Sequence, residues 1–177
     1  LDLSYNQITK IPDWFNTECF PNLSFFNMNA NYIKILPEQL NIFSHLQELH
    51  INSNKLKHFI LKHHDSSELR VIDVSYNQIS EFDVDIGNIP SLEELNLAYN
   101  ELSEVSKNLF DLPKIKIVNL EGNKICQMPE NLFTLLTLKE LNLSFNQLQL
   151  NKEQLSFLQN LQPQGRRNKN PQILNAH

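Results

Sequence analysis

The stretch LDLSYNQIT at residues 1–9 recurs almost unchanged as IDVSYNQIS at residues 72–80 and as LNLSFNQLQ at residues 141–149. Each copy has an asparagine at its sixth position, and four further asparagines have the same apolar surroundings. The seven anchor asparagines are Asn6, Asn31, Asn54, Asn77, Asn100, Asn123 and Asn146. Successive anchors are 25 residues apart once and then 23 residues apart five times. Self-similarity at a fixed period indicates stacked units rather than one globule.

Apolar residues keep a constant phase relative to each anchor, at eight, five and three residues before it and two residues after it. Around Asn100 these positions hold Leu92, Leu95, Leu97 and Leu102. The alternating segment predicts a short strand with one buried face and one solvated face. One unit cannot bury its own apolar side, so neighbouring units must stack and their strands must form a parallel sheet.

The whole pattern, L-x-x-L-x-L-x-x-N-x-L, resembles the leucine-rich repeat over roughly residues 1–161. The resemblance implies an α/β solenoid of horseshoe shape, with a parallel β-sheet on the concave face and short helical, 3₁₀ or loop segments on the convex face. It also implies that the anchor asparagines form a structural ladder along the stack. The repeat length, with Leu-Pro in its middle, resembles intracellular repeats of the Ras-binding and scaffold class.

The return segments between strands contain apolar pairs three residues apart, which fit a short helical or 3₁₀ turn better than a second strand. Two repeats depart from this pattern. The extra length of the first interval falls at residues 13–20 and predicts a bulge on the convex face, filled by Trp14, Phe15 and Phe20. In the third repeat, His63 and Ser66 stand where the apolar pair is expected and the apolar residues crowd into 59–61, which predicts a local irregularity.

The chain divides into three predicted parts. Residues 1–150 hold seven repeats, of which the first is truncated. Residues 151–161 form a short helix that closes the last repeat, with Asn151 as its cap and Gln154 at the reciprocal position. Residues 162–177 form a flexible tail or linker. Because the chain starts inside a repeat without a polar cap, we expect it to be part of a longer protein.

Composition and motifs argue against several functional classes. The net charge of −5 disfavours nucleic acid as a partner, and no apolar run is long enough for a membrane span. Cys19 and Cys126 lie in distant repeats and cannot pair, which suggests a reducing, cytoplasmic compartment. No phosphate-binding loop, nucleophile elbow or paired-cysteine motif occurs, so we expect no enzyme in this segment and no cofactor. A local metal site at residues 63–65 (HHD) is the weak alternative, without His50, which lies on the opposite side.

The candidate site lies on the wet strand positions, six, four and two residues before each anchor, and on the residue directly before it. Six of these strand positions are acidic and none is Lys or Arg. Acidic and aromatic side chains on a preformed surface suit an interface, although solvated strand faces are polar in any case. The predicted contact residues are Asp2, Tyr5, Glu48, His50, Asp73, Tyr76, Glu94, Tyr99, Glu121 and Glu140.

Together these features predict a protein–protein interaction module that binds a partner, with a basic surface, on its concave face in intracellular signalling or scaffolding. One alternative is the regulatory or substrate-recruiting segment of a larger signalling enzyme, such as a kinase, phosphatase, cyclase or GTPase. Another is an extracellular receptor ectodomain, which would need a signal peptide and Cys-rich caps. The oligomeric state is left open.

Overall fold

The computed structural model describes residues 1–12, 15–36, 43–61, 68–84 and 89–160. Within these ranges the chain forms eight short strands, two 3₁₀ helices and one α-helix. Six strands build the main sheet: β1 (Phe25–Asn27), β2 (Glu48–His50), β4 (Val71–Asp73), β6 (Glu94–Asn96), β7 (Ile117–Asn119) and β8 (Glu140–Asn142). They are parallel and follow chain order, one strand for each of the second to seventh repeats.

The main sheet has the in-register pairing that the fixed period predicts. In the centre, Ile72 lies opposite Leu95 and Leu95 opposite Val118, and all three side chains are buried. Asp2 of the first repeat adds an isolated parallel bridge to Asn27. Each strand is only three residues long because the chain turns after it, at the anchor asparagine. The expectation of an α/β solenoid with one parallel sheet along its inner side is confirmed.

A second parallel pair lies on the return side, which the apolar spacing did not predict. Strands β3 (His58–Leu61) and β5 (Glu81–Val84) pair in register. The rings of Phe59 and Phe82 stack with centroids 5.4 Å apart, and Phe59 is fully buried. The two repeats have equal length, which brings these segments side by side. The crowded apolar residues of the third repeat therefore lie in strand β3. Residues 62–67, the rest of that irregular segment, lie outside the described ranges.

Two later return segments are 3₁₀ helices, as the three-residue spacing predicts. The first spans Lys107–Asp111 and the second spans Glu130–Thr134. The Ser106 side chain accepts a hydrogen bond from the Asn108 amide and caps the first one. Buried Leu109 and Leu132 hold these helices against the core. Short 3₁₀ turns suffice here because each return segment has to bury only one or two residues.

The apolar side chains form one continuous core along the stack. At residues 13–20, where the extra length was expected to be filled by aromatics, Phe15 is buried and Phe20 is partly buried. Phe15 packs on Phe20, Phe26 and Phe43 with ring centroids 4.7–5.1 Å apart. Trp14 lies outside the described residues. The described aromatic residues of the insertion, Phe15 and Phe20, therefore pack against the hydrophobic core and enlarge it.

Helix α1 (Lys152–Asn160) follows the last repeat. Asn151 Oδ1 accepts from the Gln154 amide at 2.8 Å, and Gln154 Oε1 accepts from the Asn151 amide at 3.0 Å. This reciprocal pair satisfies two amides at the helix start. Phe157 meets Phe133 edge to face at 5.4 Å. The closing role of this helix remains a prediction, and Leu161 and the tail at 162–177 lie outside the described ranges.

Candidate protein-interaction surface

The anchor asparagines hold neighbouring repeats together. Asn77 is representative: its Nδ2 donates to the carbonyl of Ile51 in the preceding repeat at 3.0 Å and to that of Val74 in its own. Its Oδ1 accepts from the amide of Leu56 in the preceding repeat at 2.9 Å. The anchors Asn31, Asn54, Asn100, Asn123 and Asn146 make the corresponding contacts. These side chains serve turn backbone groups that cannot pair with one another.

The sheet register sorts the candidate contact residues into rows. The first row lies six residues before the anchors, at the start of each strand, and comprises Phe25, Glu48, Val71, Glu94, Ile117 and Glu140. The second row lies four residues before the anchors and comprises Asp2, Asn27, His50, Asp73, Asn96, Asn119 and Asn142. The edge row lies directly before the anchors and comprises Tyr5, Ala30, Ser53, Tyr76, Tyr99, Gly122 and Phe145.

The second row repeats one local hydrogen bond within successive repeats, which the sequence analysis did not predict. Asp73 Oδ1 accepts from the amide and the hydroxyl of Ser75 at 3.0 and 2.7 Å. The side-chain oxygens of Asp2, Asn27, Asn96, Asn119 and Asn142 accept likewise from the amide two residues on. His50 cannot do so, and the Asn52 amide instead donates to Asn29 Oδ1 at 2.8 Å. The signal was in the sequence, because six of the seven residues in this row are Asp or Asn.

Two of the predicted contact acids therefore serve their own backbone. Hydrogen bonds from the Ser4 hydroxyl and amide lower the pKa of Asp2. Asn27 Nδ2 also donates to Asp2 at 3.2 Å, and Asn52 Nδ2 donates to Asp73 at 3.1 Å. Each of these carboxylates already accepts three hydrogen bonds at the end of its strand, so it has few acceptor sites left for a partner molecule.

The first row presents its acids differently. The carboxylates of Glu94 and Glu140 are exposed, and within the described residues they have no hydrogen-bond or ion-pair partner. Glu48 contacts His50 Nε2 at 3.1 Å, and the His50 ring lies 5.3 Å from that of Phe25. The structure thus brings Glu48 and His50 together and leaves Glu94 and Glu140 open to solvent.

The edge row contains an aromatic pair. The rings of Tyr76 and Tyr99 stack with centroids 4.6 Å apart and planes inclined by 14°. The Tyr99 hydroxyl donates to Glu121 Oε1 at 2.6 Å, and Asn142 Nδ2 donates to Glu121 Oε2 at 2.8 Å. This hydrogen bond to Glu121 raises the pKa of Tyr99 to about 12. Tyr76, Tyr99 and Glu121 therefore form one fixed cluster.

Tyr5 is not part of that cluster. Its side chain is 85% exposed, and the small residues Ala30 and Ser53 separate it from Tyr76 along the edge row. The described residues of this row all have positive φ, between 52° and 65°. Six of them are not glycine, so the turn geometry is imposed by the stack.

Basic residues lie just outside the first row, at the amino ends of the strands. Lys116 Nζ meets Glu93 Oε2 at 2.6 Å, and this hydrogen bond lowers the pKa of Glu93. Arg70 and Lys139 occupy the same position in their repeats and are exposed. Because Glu93 stands in the same column and neutralises Lys116, the positive margin of the acidic row consists of Arg70 and Lys139.

The histidines do not assemble a metal site in the described part of the chain. His45 contacts Glu68 at 3.3 Å, and His58 contacts Glu81 at 3.2 Å. No group of three or more His, Cys, Asp or Glu residues suited to a metal occurs there. The weaker candidate at residues 63–65 lies outside the described ranges. Cys19 and Cys126 are both exposed and no disulfide joins them, in agreement with the expectation that they cannot pair.

Comparisons with known proteins fit this architecture. Models of the leucine-rich repeat match residues 44–102 and 67–125, residues 134–150 and residues 1–17. The chain belongs to the leucine-rich repeat family, whose fold generally serves as a binding scaffold. No curated protein matches it significantly. None of the helices in the described ranges is long and apolar enough to cross a bilayer.

Solved structures show the same solenoid. A leucine-rich repeat protein of Leptospira interrogans is 28% identical, with a TM-score of 0.70 over 80% of this chain and 36% of that one. A chain of the LRIM1/APL1C complex is 25% identical, with a TM-score of 0.58 over 67% of this chain and 22% of that one. The functional domain of InlJ from Listeria monocytogenes is 19% identical, with a TM-score of 0.59 over 76% and 27%, and shares the fold alone. This chain spans 22–36% of the length of these structures.

Proposed function

We propose that this chain binds a partner protein on the face of its main sheet and acts as a docking segment in intracellular signalling or scaffolding. The observation that carries the proposal is the pair of exposed carboxylates on the main sheet, Glu94 and Glu140, that have no partner among the described residues. The backbone of the sheet is preformed, so binding has to order only these side chains. The LRIM1/APL1C structure, a complex in which a similar chain takes part, supports a binding role.

The proposed contact set is narrower than the sequence suggested. Glu48, Glu94 and Glu140 on the first row supply charge for a partner. Tyr76 and Tyr99 supply aromatic surface, and Glu121 holds the Tyr99 hydroxyl. Asp2 and Asp73 serve backbone amides instead, and Tyr5 stands apart. A partner with a basic surface complements this set, because the outward strand positions carry no Lys or Arg.

A second candidate is a recruiting or regulatory segment of a larger signalling enzyme. This chain spans 22–36% of the matched structures, so the repeats recur in longer polypeptides. The cytoplasmic location is supported by Cys19 and Cys126, both exposed and free of a disulfide. An extracellular receptor ectodomain is the remaining alternative.

An affinity pull-down from cell lysate tests the docking face. The wild type is compared with Glu94→Lys plus Glu140→Lys, and with the control Glu18→Lys plus Glu104→Lys, which makes the same charge change at exposed acids away from the sheet face. We expect the sheet-face variant to lose its partner and the control to keep it. Equal retention by all three proteins would contradict binding at this face.

A further inference from the structure

The first row alternates in chemistry from strand to strand. After Phe25 it reads Glu48, Val71, Glu94, Ile117 and Glu140, with neighbours in direct register. Adjacent strands lie about 4.8 Å apart, so the three acids recur about every 10 Å with an aliphatic side chain midway. The row therefore presents acidic and apolar side chains alternately, at a regular spacing.

The aliphatic positions are available for contact. Val71 and Ile117 are half-buried, so each still exposes apolar surface between two carboxylates. The second row beside them is occupied with its own backbone amides. A ligand that complements this face therefore places cationic groups opposite the glutamates and apolar groups opposite Val71 and Ile117.

We propose that the first row binds an amphipathic basic α-helix that lies along the stack, with Lys or Arg every seven residues and an aliphatic residue midway between them. This inference rests on the proposed function of the sheet face and names the partner's chemistry. A helix presents one residue for each turn of about 5.4 Å on a given face, so seven residues span about 10.5 Å. Seven residues exceed two strand spacings by about 0.9 Å, so the mismatch from Glu48 to Glu140 is about 1.8 Å, which flexible Lys and Arg side chains absorb.

Other backbone conformations fit the row less well. An extended strand repeats its face about every 6.6 Å, which matches neither spacing. A polyproline II segment repeats about every 9.3 Å and would meet the acids, but it places its intervening residues away from Val71 and Ile117. The α-helix alone matches both the charges and the apolar positions.

The positive margin limits the partner further. Arg70 and Lys139 stand at the amino ends of the strands, next to the row, and repel cations on the flank of the helix above them. The basic residues of the partner must therefore form a narrow stripe. A uniformly polybasic segment would meet this margin and bind more weakly.

Stapled helical peptides of identical composition test the proposal by fluorescence anisotropy at low salt with the wild-type chain. The alternating peptide carries Lys at positions 3, 10 and 17 and Leu at positions 7 and 14, spacings that keep one helical face. The block peptide carries Lys at positions 3, 7 and 10 and Leu at positions 14 and 17 on the same face. Staples on the outer face equalise helicity, and a polyproline peptide with Lys at every third position completes the set.

We expect the alternating peptide to bind about two- to fivefold more tightly than the block peptide, because the latter has Leu instead of Lys at position 17 and loses one exposed ion pair. Glu94→Gln plus Glu140→Gln should abolish this preference, and the control Glu18→Gln plus Glu104→Gln should preserve it. Equal binding of both helical peptides, no measurable binding of the alternating peptide, or tighter binding of the polyproline peptide would overturn the helix proposal. The pull-down separates this failure from failure of the docking face, since it uses natural partners and no designed helix.

Discussion

Gly122 supports the ring of Tyr99 at the edge of the sheet. Its φ is +65°, and a Cβ added there would lie 2.6 Å from Tyr99 Cδ1. Ala30 and Ser53 adopt similar φ values in the same row, so the backbone alone does not demand glycine. Glycine is needed because the Tyr99 ring occupies the space that a side chain would take.

The substitution Gly122→Ala should therefore lower the free energy of unfolding by about 1–3 kcal/mol, from left-handed strain and overpacking together. Chemical denaturation of the variant and the wild type measures the difference. In a Tyr99→Ala background the same substitution should cost distinctly less, because the clash is gone. An equal cost in both backgrounds would mean that the ring contact does not matter.

Tyr99 should titrate later than an ordinary tyrosine, whose pKa is 10.0, because its hydroxyl is held by Glu121 and its pKa is raised to about 12. A folded-state pKa above the unfolded value means that this hydrogen bond contributes stability below pH 10. That contribution is lost as the pH rises from 10 towards 12. Ultraviolet titration of tyrosinate should show a component near pH 12 that disappears in Tyr99→Phe.

The variant Glu121→Gln provides the matched test of this cause. It keeps the shape of the side chain but removes the charge that the tyrosinate would face, so the late component should move towards pH 10. If the late component stays in place, Glu121 is not its cause.

At the scale of the strands, the anchor asparagines carry the junctions between repeats. Asn77→Ala removes the donor to Ile51 and the acceptor for Leu56 and leaves those backbone groups unpaired in a partly buried turn. We expect a loss of about 1–3 kcal/mol in the free energy of unfolding, measured by denaturant titration.

Asn6→Ala is the natural control for that prediction. Within the described residues, the Asn6 side chain donates only to Leu3 and Ser4 of its own repeat, at 3.1 Å, and the residue is exposed. Its substitution should cost clearly less than that of Asn77. Similar costs at both positions would show that the links between repeats add little.

The strands and their register could be predicted from sequence because one period repeats in every unit and leaves a single in-register stacking. The return segments could not be predicted as well. Phe59 and Phe82 have the same period as the core residues, but whether they end in a strand or a 3₁₀ turn depends on the neighbouring repeat. Pairing between neighbours is decided by contacts that no single window of sequence contains.

At the scale of the whole molecule, the sequence predicted the exposed face but not which of its residues are free to bind. Asp73 and Glu94 look alike as exposed acids in adjacent repeats. Only the structure shows that Asp73 accepts from Ser75 and Asn52 while Glu94 faces solvent. The difference arises from the position in the repeat. A carboxylate four residues before the anchor, such as Asp73, accepts from the backbone amide two residues further along the chain.

The stacking of the repeats also determines how far the loss of stability caused by a substitution extends through the molecule. Each repeat contacts only its neighbours, so a central repeat supports two interfaces and a terminal repeat fewer. Leu95 is 1% exposed and lies between Ile72 and Val118, whereas Leu141 on the last strand is only partly buried. Leu95→Ala should lower the free energy of unfolding by about 2–5 kcal/mol, and Leu141→Ala by less.

Amide hydrogen exchange can follow where the lost stability appears. In Leu95→Ala, protection should fall in strands β4, β6 and β7, because the cavity weakens both interfaces of the central repeat. In Leu141→Ala, the loss should be confined to β8 and its contact with β7, and the first repeats should exchange as in the wild type. Uniform loss of protection in both variants would mean that the solenoid unfolds as a single cooperative unit. In that case a helix bound at one end would stabilise every repeat equally against unfolding.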